Sequence, residues 1–172
     1  KMTEQITSGT TMGASRDSDI QFNIGAAFEA VAQAVPDRVA LIFDERQLTY
    51  AELDAEANRL ANFLLDVGVE KGDHVALYLM NSMEHLIAIV TLVKMGAPAV
   101  NVNYRYTAPE LHHIMHDSDA KVIMVELPEH QDLLAAMLDQ LPELRSLVIL
   151  GEITEKLAAA VGAQDGRGDI AG

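Results

Sequence analysis

Arg105 is the side chain best suited to ligand chemistry in this sequence. It stands in Asn103-Tyr104-Arg105-Tyr106, directly after a predicted strand at 99–102. A guanidinium offers a planar fork of donors that matches phosphate oxygens. Loops beyond the carboxyl ends of parallel strands are where such sheets bind ligands. The alternative is an ion pair with Glu110 or another acid, which would only fix the loop. His112, His113 and His116 form a second cluster. His112 and His116 are four apart and share a helix face, with Asp117 adjacent. Two such imidazoles suit zinc. No motif supplies a third ligand, and no Glu follows a His as in metallopeptidases, so a solvated helix face is expected. Asn81 is expected to cap a helix, and Asp73 in Lys71-Gly72-Asp73 to shape a turn. His85 fits either core or surface. Arg167-Gly168-Asp169 spells an adhesion tripeptide and is read as chance. No Ser-His-Asp set, GxGxxG or paired-carboxylate site can be argued from spacing.

The elements that would position these residues follow from periodicity. A helix is predicted at 24–35, with Ile24, Ala27, Phe28, Val31 and Ala32 on one face and Pro36 ending it. Residues 39–43 and 47–49 read as a short hairpin around Asp44-Glu45-Arg46-Gln47. Thr49 and Glu52 make a capping box for a helix lined by Leu53, Ala57, Leu60, Ala61 and Leu64, stopping at Gly68. Residues 75–79 read as a strand buried on both faces. A helix then runs from Asn81 to Met95, with Gly96 at its end. A strand at 99–102 precedes a helix capped by Thr107 and Glu110 and reaching Asp117. A strand at 121–125, a helix at 128–141 and a strand at 147–150 complete the alternation, and a short helix is predicted at 153–161. Strand alternating with helix requires a parallel sheet covered on both faces. The expected fold is therefore α/β: a doubly wound, mainly parallel sheet half-domain with a small β-hairpin. The expected organisation is a flexible lead over 1–20, an α/β unit over 21–151, and a short helix with a linker or frayed tail over 152–172.

Composition narrows the function classes. The 172 residues are 49% apolar, enough for a core, with 26 acidic against 12 basic residues and a net charge of -14. Such a surface repels polyphosphate duplexes, so no nucleic-acid partner is expected. Small anionic ligands would need a local cationic site working against this field. The absence of cysteine removes thiol chemistry and suits a cytoplasmic protein. No apolar run reaches transmembrane length, and no basic region leads into one at the start, so neither a span nor a secretory signal is expected.

Three blocks in order carry a family resemblance. They are Leu48-Thr49-Tyr50-Ala51-Glu52-Leu53, Gly72-Asp73-His74-Val75-Ala76-Leu77 with Asn81, and Leu92-Val93-Lys94-Met95-Gly96-Ala97 running on to Val102-Asn103-Tyr104-Arg105. Together they resemble the opening of the adenylate-forming superfamily, specifically AMP-forming acyl-CoA synthetases of the bacterial fatty-acyl type. The resemblance covers 24–151 and implies part of that family's larger N-terminal domain. It implies a parent enzyme using ATP, CoA and Mg²⁺ to activate a small-molecule carboxylic acid, with fatty or other bulky acyl chains as substrates. It also implies that Arg105 touches the nucleotide end of CoA, although Tyr104 stands where family members carry proline. Thr7-Ser8-Gly9-Thr10-Thr11 copies the letters of the family's phosphate loop, but no apolar strand precedes it and no lysine follows. It is not expected to work as one. Two other readings stay open: a non-catalytic half-domain that folds, forms a homodimer or otherwise self-associates, or binds a partner; and an adenylating enzyme with a carrier-protein acceptor.

Overall fold

The computed structural model describes residues 23–162 and 170–171. The phosphate-loop letters at 7–11 and the tripeptide at 167–169 lie outside the described residues. Helix α1 (Ile24–Ala34) leads into the antiparallel hairpin β1 (Val39–Phe43) and β2 (Arg46–Thr49). Then follow α2 (Tyr50–Asp66), β3 (Val75–Tyr78), α3 (Met83–Met95), β4 (Ala99–Asn101), α4 (Ala108–Asp117), β5 (Val122–Val125), α5 (Pro128–Ala135), β6 (Ser146–Ile149), α6 (Glu155–Gly162) and β7 (Ile170–Ala171).

The second sheet has the order β4-β3-β5-β6-β7, and every pair in it is parallel. All residues of β3, β5 and β6 are buried. Such strands cannot alternate polar and apolar residues, because helices must cover both faces. Leu64, Ala88 and Leu92 from α2 and α3 pack on one face with Val75, Leu77 and Met124. Leu111, Met115, Leu134 and Leu157 from α4, α5 and α6 pack on the other with Ala76, Ile123 and Val125. The doubly wound expectation is met.

Local chemistry accounts for most boundaries. Thr49 and Glu52 form the capping box of α2, and Thr107 and Glu110 form that of α4. Gly96 closes α3 at φ 69, a left-handed conformation that an L side chain resists.

Three expectations need correction. Ser82, not Asn81, caps α3: its Oγ accepts from the His85 backbone N–H at 3.1 Å. Both residues are competent caps, and the register that fully buries Met83 puts Ser82 at the boundary. The helix expected to reach 141 ends at Ala135 and resumes as a 3₁₀ turn at Leu138–Gln140. Neighbours on an α-helix diverge by about 100°. The break lets Met137 and Leu138 both bury. The stripe read on α1 packs only in part. Within it Ile24 and Val31 are 64% and 43% exposed and Ala32 is buried, while Gly25, outside the stripe, is buried as well. A Cβ on Gly25 would lie 2.8 Å from the Lys94 Cα, so α1 sits against the end of α3 by having no side chain there.

Lys94 ties the helices on that side together. Its side chain is 7% exposed. Its ammonium meets Asp54, Asn58 Oδ1 at 2.7 Å and Glu29 Oε1 at 3.2 Å. One cation therefore joins α1, α2 and α3. Removing one partner of a fully buried pair costs about 3–5 kcal/mol. Here Asp54 and Glu29 are 28% and 48% exposed and would recover water. Lys94→Met is thus expected to lower stability by about 1–3 kcal/mol, read by urea unfolding; unchanged stability would show that the cluster is only a surface arrangement.

Candidate functional site at the carboxyl edge of the sheet

The chain leaves β3 toward β4 on one side of the sheet, and leaves β5 toward β6 on the other. Helices α3 and α5 therefore cover opposite faces. Their divergence opens a crevice past the carboxyl ends of β3 and β5, the place where open α/β sheets bind ligands. A groove of about 560 Å³ lies there, lined among others by Tyr78, Tyr104, Tyr106, Leu127 and His130.

Arg105 is exposed and stands between Tyr104 and Tyr106, two of the residues that line this groove. Its guanidinium lies 5.3 Å from the centre of the Tyr104 ring, within the range of a cation–π contact. Its backbone N–H donates to Asn103 Oδ1 at 3.0 Å. Asn103 thus turns the chain as it leaves the strand. The expected alternative pair with Glu110 does not form. Glu110 accepts instead from the Thr107 N–H at 2.8 Å and the Thr107 Oγ–H at 2.7 Å. The α4 cap has first claim on that carboxylate. Arg105 has no carboxylate partner among the described residues.

Beneath this loop the contacts are aromatic and buried. The Tyr78 and His130 rings stack at 3.9 Å and 16°. His130 Nε2 is 2.9 Å from the Tyr104 carbonyl oxygen. A carbonyl only accepts, so Nε2 carries the proton and donates. His130 Nδ1 and Glu126 Oε2 are buried with no hydrogen-bond partner among the described residues. The Tyr78 hydroxyl donates to the Tyr106 carbonyl at 3.2 Å. Burial, and then the negative charge of Glu129, push its pKa up, so it stays a neutral donor. Fully buried Gln131 closes the next loop: it donates to the carbonyls of Glu126 and Glu152 and accepts from the Thr154 N–H at 2.9 Å.

The other candidates fall elsewhere. His112 and His116 share a face of α4 with their rings 6.3 Å apart, and His116 is exposed. No group of three His, Cys, Asp or Glu among the described residues could hold a metal ion. His85 is buried, with Nδ1 donating to the Met80 carbonyl at 3.1 Å and Nε2 without a partner among the described residues. Asp73 accepts from the Glu70 N–H at 2.9 Å, as its turn requires. Sequence reading missed Tyr78, His130 and Gln131. Their partners are 28, 26 and up to 23 residues away, and no local pattern announces such contacts.

Hydrogen bonds from Thr107 hold Glu110 below the usual carboxylate range, and those from Thr49 do the same for Glu52. A lowered folded pKa gives stability that is present above the unfolded value and lost as pH falls through the folded one. Stability should therefore decline as pH drops below the ordinary carboxylate value. Glu110→Gln should flatten that acid limb, measured by thermal melts between about pH 7 and about pH 3. An acid limb identical to wild type would show that this box carries no linkage.

The chain matches the model of one family, described as AMP-binding enzyme, over residues 28–167. A medium/long-chain-fatty-acid–CoA/3-oxocholest-4-en-26-oate–CoA ligase of Mycobacterium marinum is 41% identical over 137 residues, covering 80% of this chain and 25% of that protein. Among solved structures, a Mycobacterium tuberculosis fatty acyl CoA synthetase superposes with a TM-score of 0.69 at 32% identity, over 82% of this chain and 28% of that one. An anthranilate CoA ligase in complex with anthranoyl-AMP superposes with a TM-score of 0.70 at 28% identity, over 82% and 27%. The chain spans about a quarter of the length of the curated relatives it matches.

Proposed function

The chain belongs to the AMP-binding enzyme family, and from that premise we propose that it is the amino-terminal portion of an ATP-dependent acid–CoA ligase acting on fatty or other bulky carboxylic acids. In that reaction the carboxylate attacks the α-phosphate of ATP, and pyrophosphate leaves. The acyl-adenylate replaces a poor leaving oxygen by a good one. The CoA thiol then attacks the acyl carbon, giving the thioester and AMP. The substrate class rests on the naming of the relatives as fatty-acid and steroid-acid CoA ligases. The described residues offer no donor set for Mg²⁺, so none of its chemistry is assigned to this segment.

Within this scheme, Arg105 contacts a phosphate at the nucleotide end of CoA. One observation carries that reading. In a chain of net charge -14, an exposed arginine at the carboxyl edge of a parallel sheet has no carboxylate partner among the described residues, and its chain neighbours Tyr104 and Tyr106 line a groove. An acidic protein that binds an anion needs such a local cation.

The 172-residue chain alone is expected to be inert in carboxylate-dependent exchange of labelled pyrophosphate into ATP. None of the described residues makes a phosphate-binding loop carrying a lysine. It is also expected to self-associate in light scattering, because Ile24, Val31, Val39 and Ile42 are exposed. Clear exchange by a monodisperse monomer would mean that the catalytic centre has been misplaced.

Arg105→Ala in the full-length enzyme tests the ligand contact. A charge-assisted hydrogen bond is worth about 1.5–3 kcal/mol, which is about ten- to a hundred-fold in CoA KM. Pyrophosphate exchange needs no CoA and should hardly change. Arg105→Lys keeps the charge without the fork and should fall between the two. An unchanged CoA KM would end the assignment, and joint loss of both half-reactions with a lower Tm would mark a loop anchor instead.

A further inference from the structure

Arg105 sits between two backbone carbonyls that are each held from below. His130 Nε2–H donates to the Tyr104 carbonyl at 2.9 Å, and the Tyr78 hydroxyl donates to the Tyr106 carbonyl at 3.2 Å. The two donors come from different elements: Tyr78 ends β3, and His130 is in the first turn of α5. Their rings are stacked at 3.9 Å, so neither can tilt without displacing the other. Both side chains are buried, Tyr78 at 1% and His130 at 4% exposed. The loop they hold is otherwise exposed at Asn103, Tyr104 and Arg105.

We propose that Tyr78 and His130 are positioning residues that clamp the backbone on both sides of Arg105 and so present its guanidinium in one orientation to an anionic ligand. The ligand part rests on the reading of Arg105 as a CoA phosphate contact; the clamp itself rests on the four-residue geometry. A long arginine on a free loop loses rotamer and backbone entropy each time it binds. Fixing the two flanking carbonyls removes part of that cost in advance. His130 is suited to the task because Nε2 has one acceptor and Nδ1 has no partner among the described residues. Its ring therefore acts as a flat donor packed on Tyr78. A phenylalanine there would keep the stack and lose only the donor. The Tyr78 hydroxyl is kept protonated by burial and by Glu129, so it remains a donor throughout the neutral range.

The test combines His130→Phe, His130→Gln and Tyr78→Phe with Arg105→Ala. Amide hydrogen exchange is read on the 172-residue chain. His130→Phe and Tyr78→Phe should each speed exchange at Arg105 and Tyr106 several-fold, while the amides of β3 and β5 keep their protection. His130→Gln, which returns a donor near Nε2, should restore most of the protection. In the full-length enzyme, His130→Phe should raise the CoA KM by about three- to ten-fold. Pyrophosphate exchange should change less than about twofold, and Tm only slightly. In an Arg105→Ala background, His130→Phe should add nothing further to the CoA KM, because both act through one contact. Unchanged exchange at Arg105 and Tyr106 in both phenylalanine variants would overturn the clamp. So would equal acceleration across β3 and β5, which would mean general destabilisation. If Arg105→Ala itself leaves the CoA KM unchanged, the CoA reading fails, and the exchange data still decide the clamp.

Discussion

Burial of both faces of one short parallel sheet is the constraint on which the rest of this molecule depends. The strands β3, β5 and β6 show no exposed residue. Parallel strands of this kind are joined only by crossovers, and each crossover helix must pay for its loops by covering a face. Two helices lie over one side and three over the other. Chain direction then leaves all carboxyl ends of the strands on one edge. The groove, the Arg105 loop and the Tyr78–His130 stack are all consequences of that single geometry.

Polar side chains then fix what the sheet leaves loose. Lys94 joins α1, α2 and α3 on one face. On the other, Gln131 ties α5 to the segment after β6, and Asp132 with Lys156 adds an exposed link to α6. Buried polar groups are costly unless satisfied. Full satisfaction of Lys94 and Gln131 therefore specifies one arrangement of these helices. The arrangement matters at the carboxyl edge, because α5 brings His130 to the loop after β4.

The elements with local signals could be read directly from the sequence. The boxes Thr49–Glu52 and Thr107–Glu110 lie within one turn, and both form. The strands at 75–78 and 122–125 are apolar runs between turn residues, and both are buried throughout. Errors arose where tertiary packing chose between equal local options. Asn81 and Ser82 are both good caps, and burial of Met83 decided for Ser82. Of the α1 stripe Ala32 is buried and Ile24 and Val31 are not, and the close approach allowed by Gly25 sets the packing. The candidate site was legible in part. Arg105 stood out because a cation after a parallel strand has a physical meaning. Its supports did not, because a histidine and a tyrosine acquire their roles only when strand order brings them together across 26 and 28 residues.

We propose that Arg105, at this edge of the sheet, meets a CoA phosphate. The most direct measurement is a crystal structure of the full-length enzyme with CoA bound. The Arg105 guanidinium should lie within hydrogen-bonding distance of a CoA phosphate oxygen, with Tyr104 and Tyr106 held as they are here. Arg105 paired with a carboxylate from the remainder of the polypeptide, and CoA phosphates bound elsewhere, would contradict it.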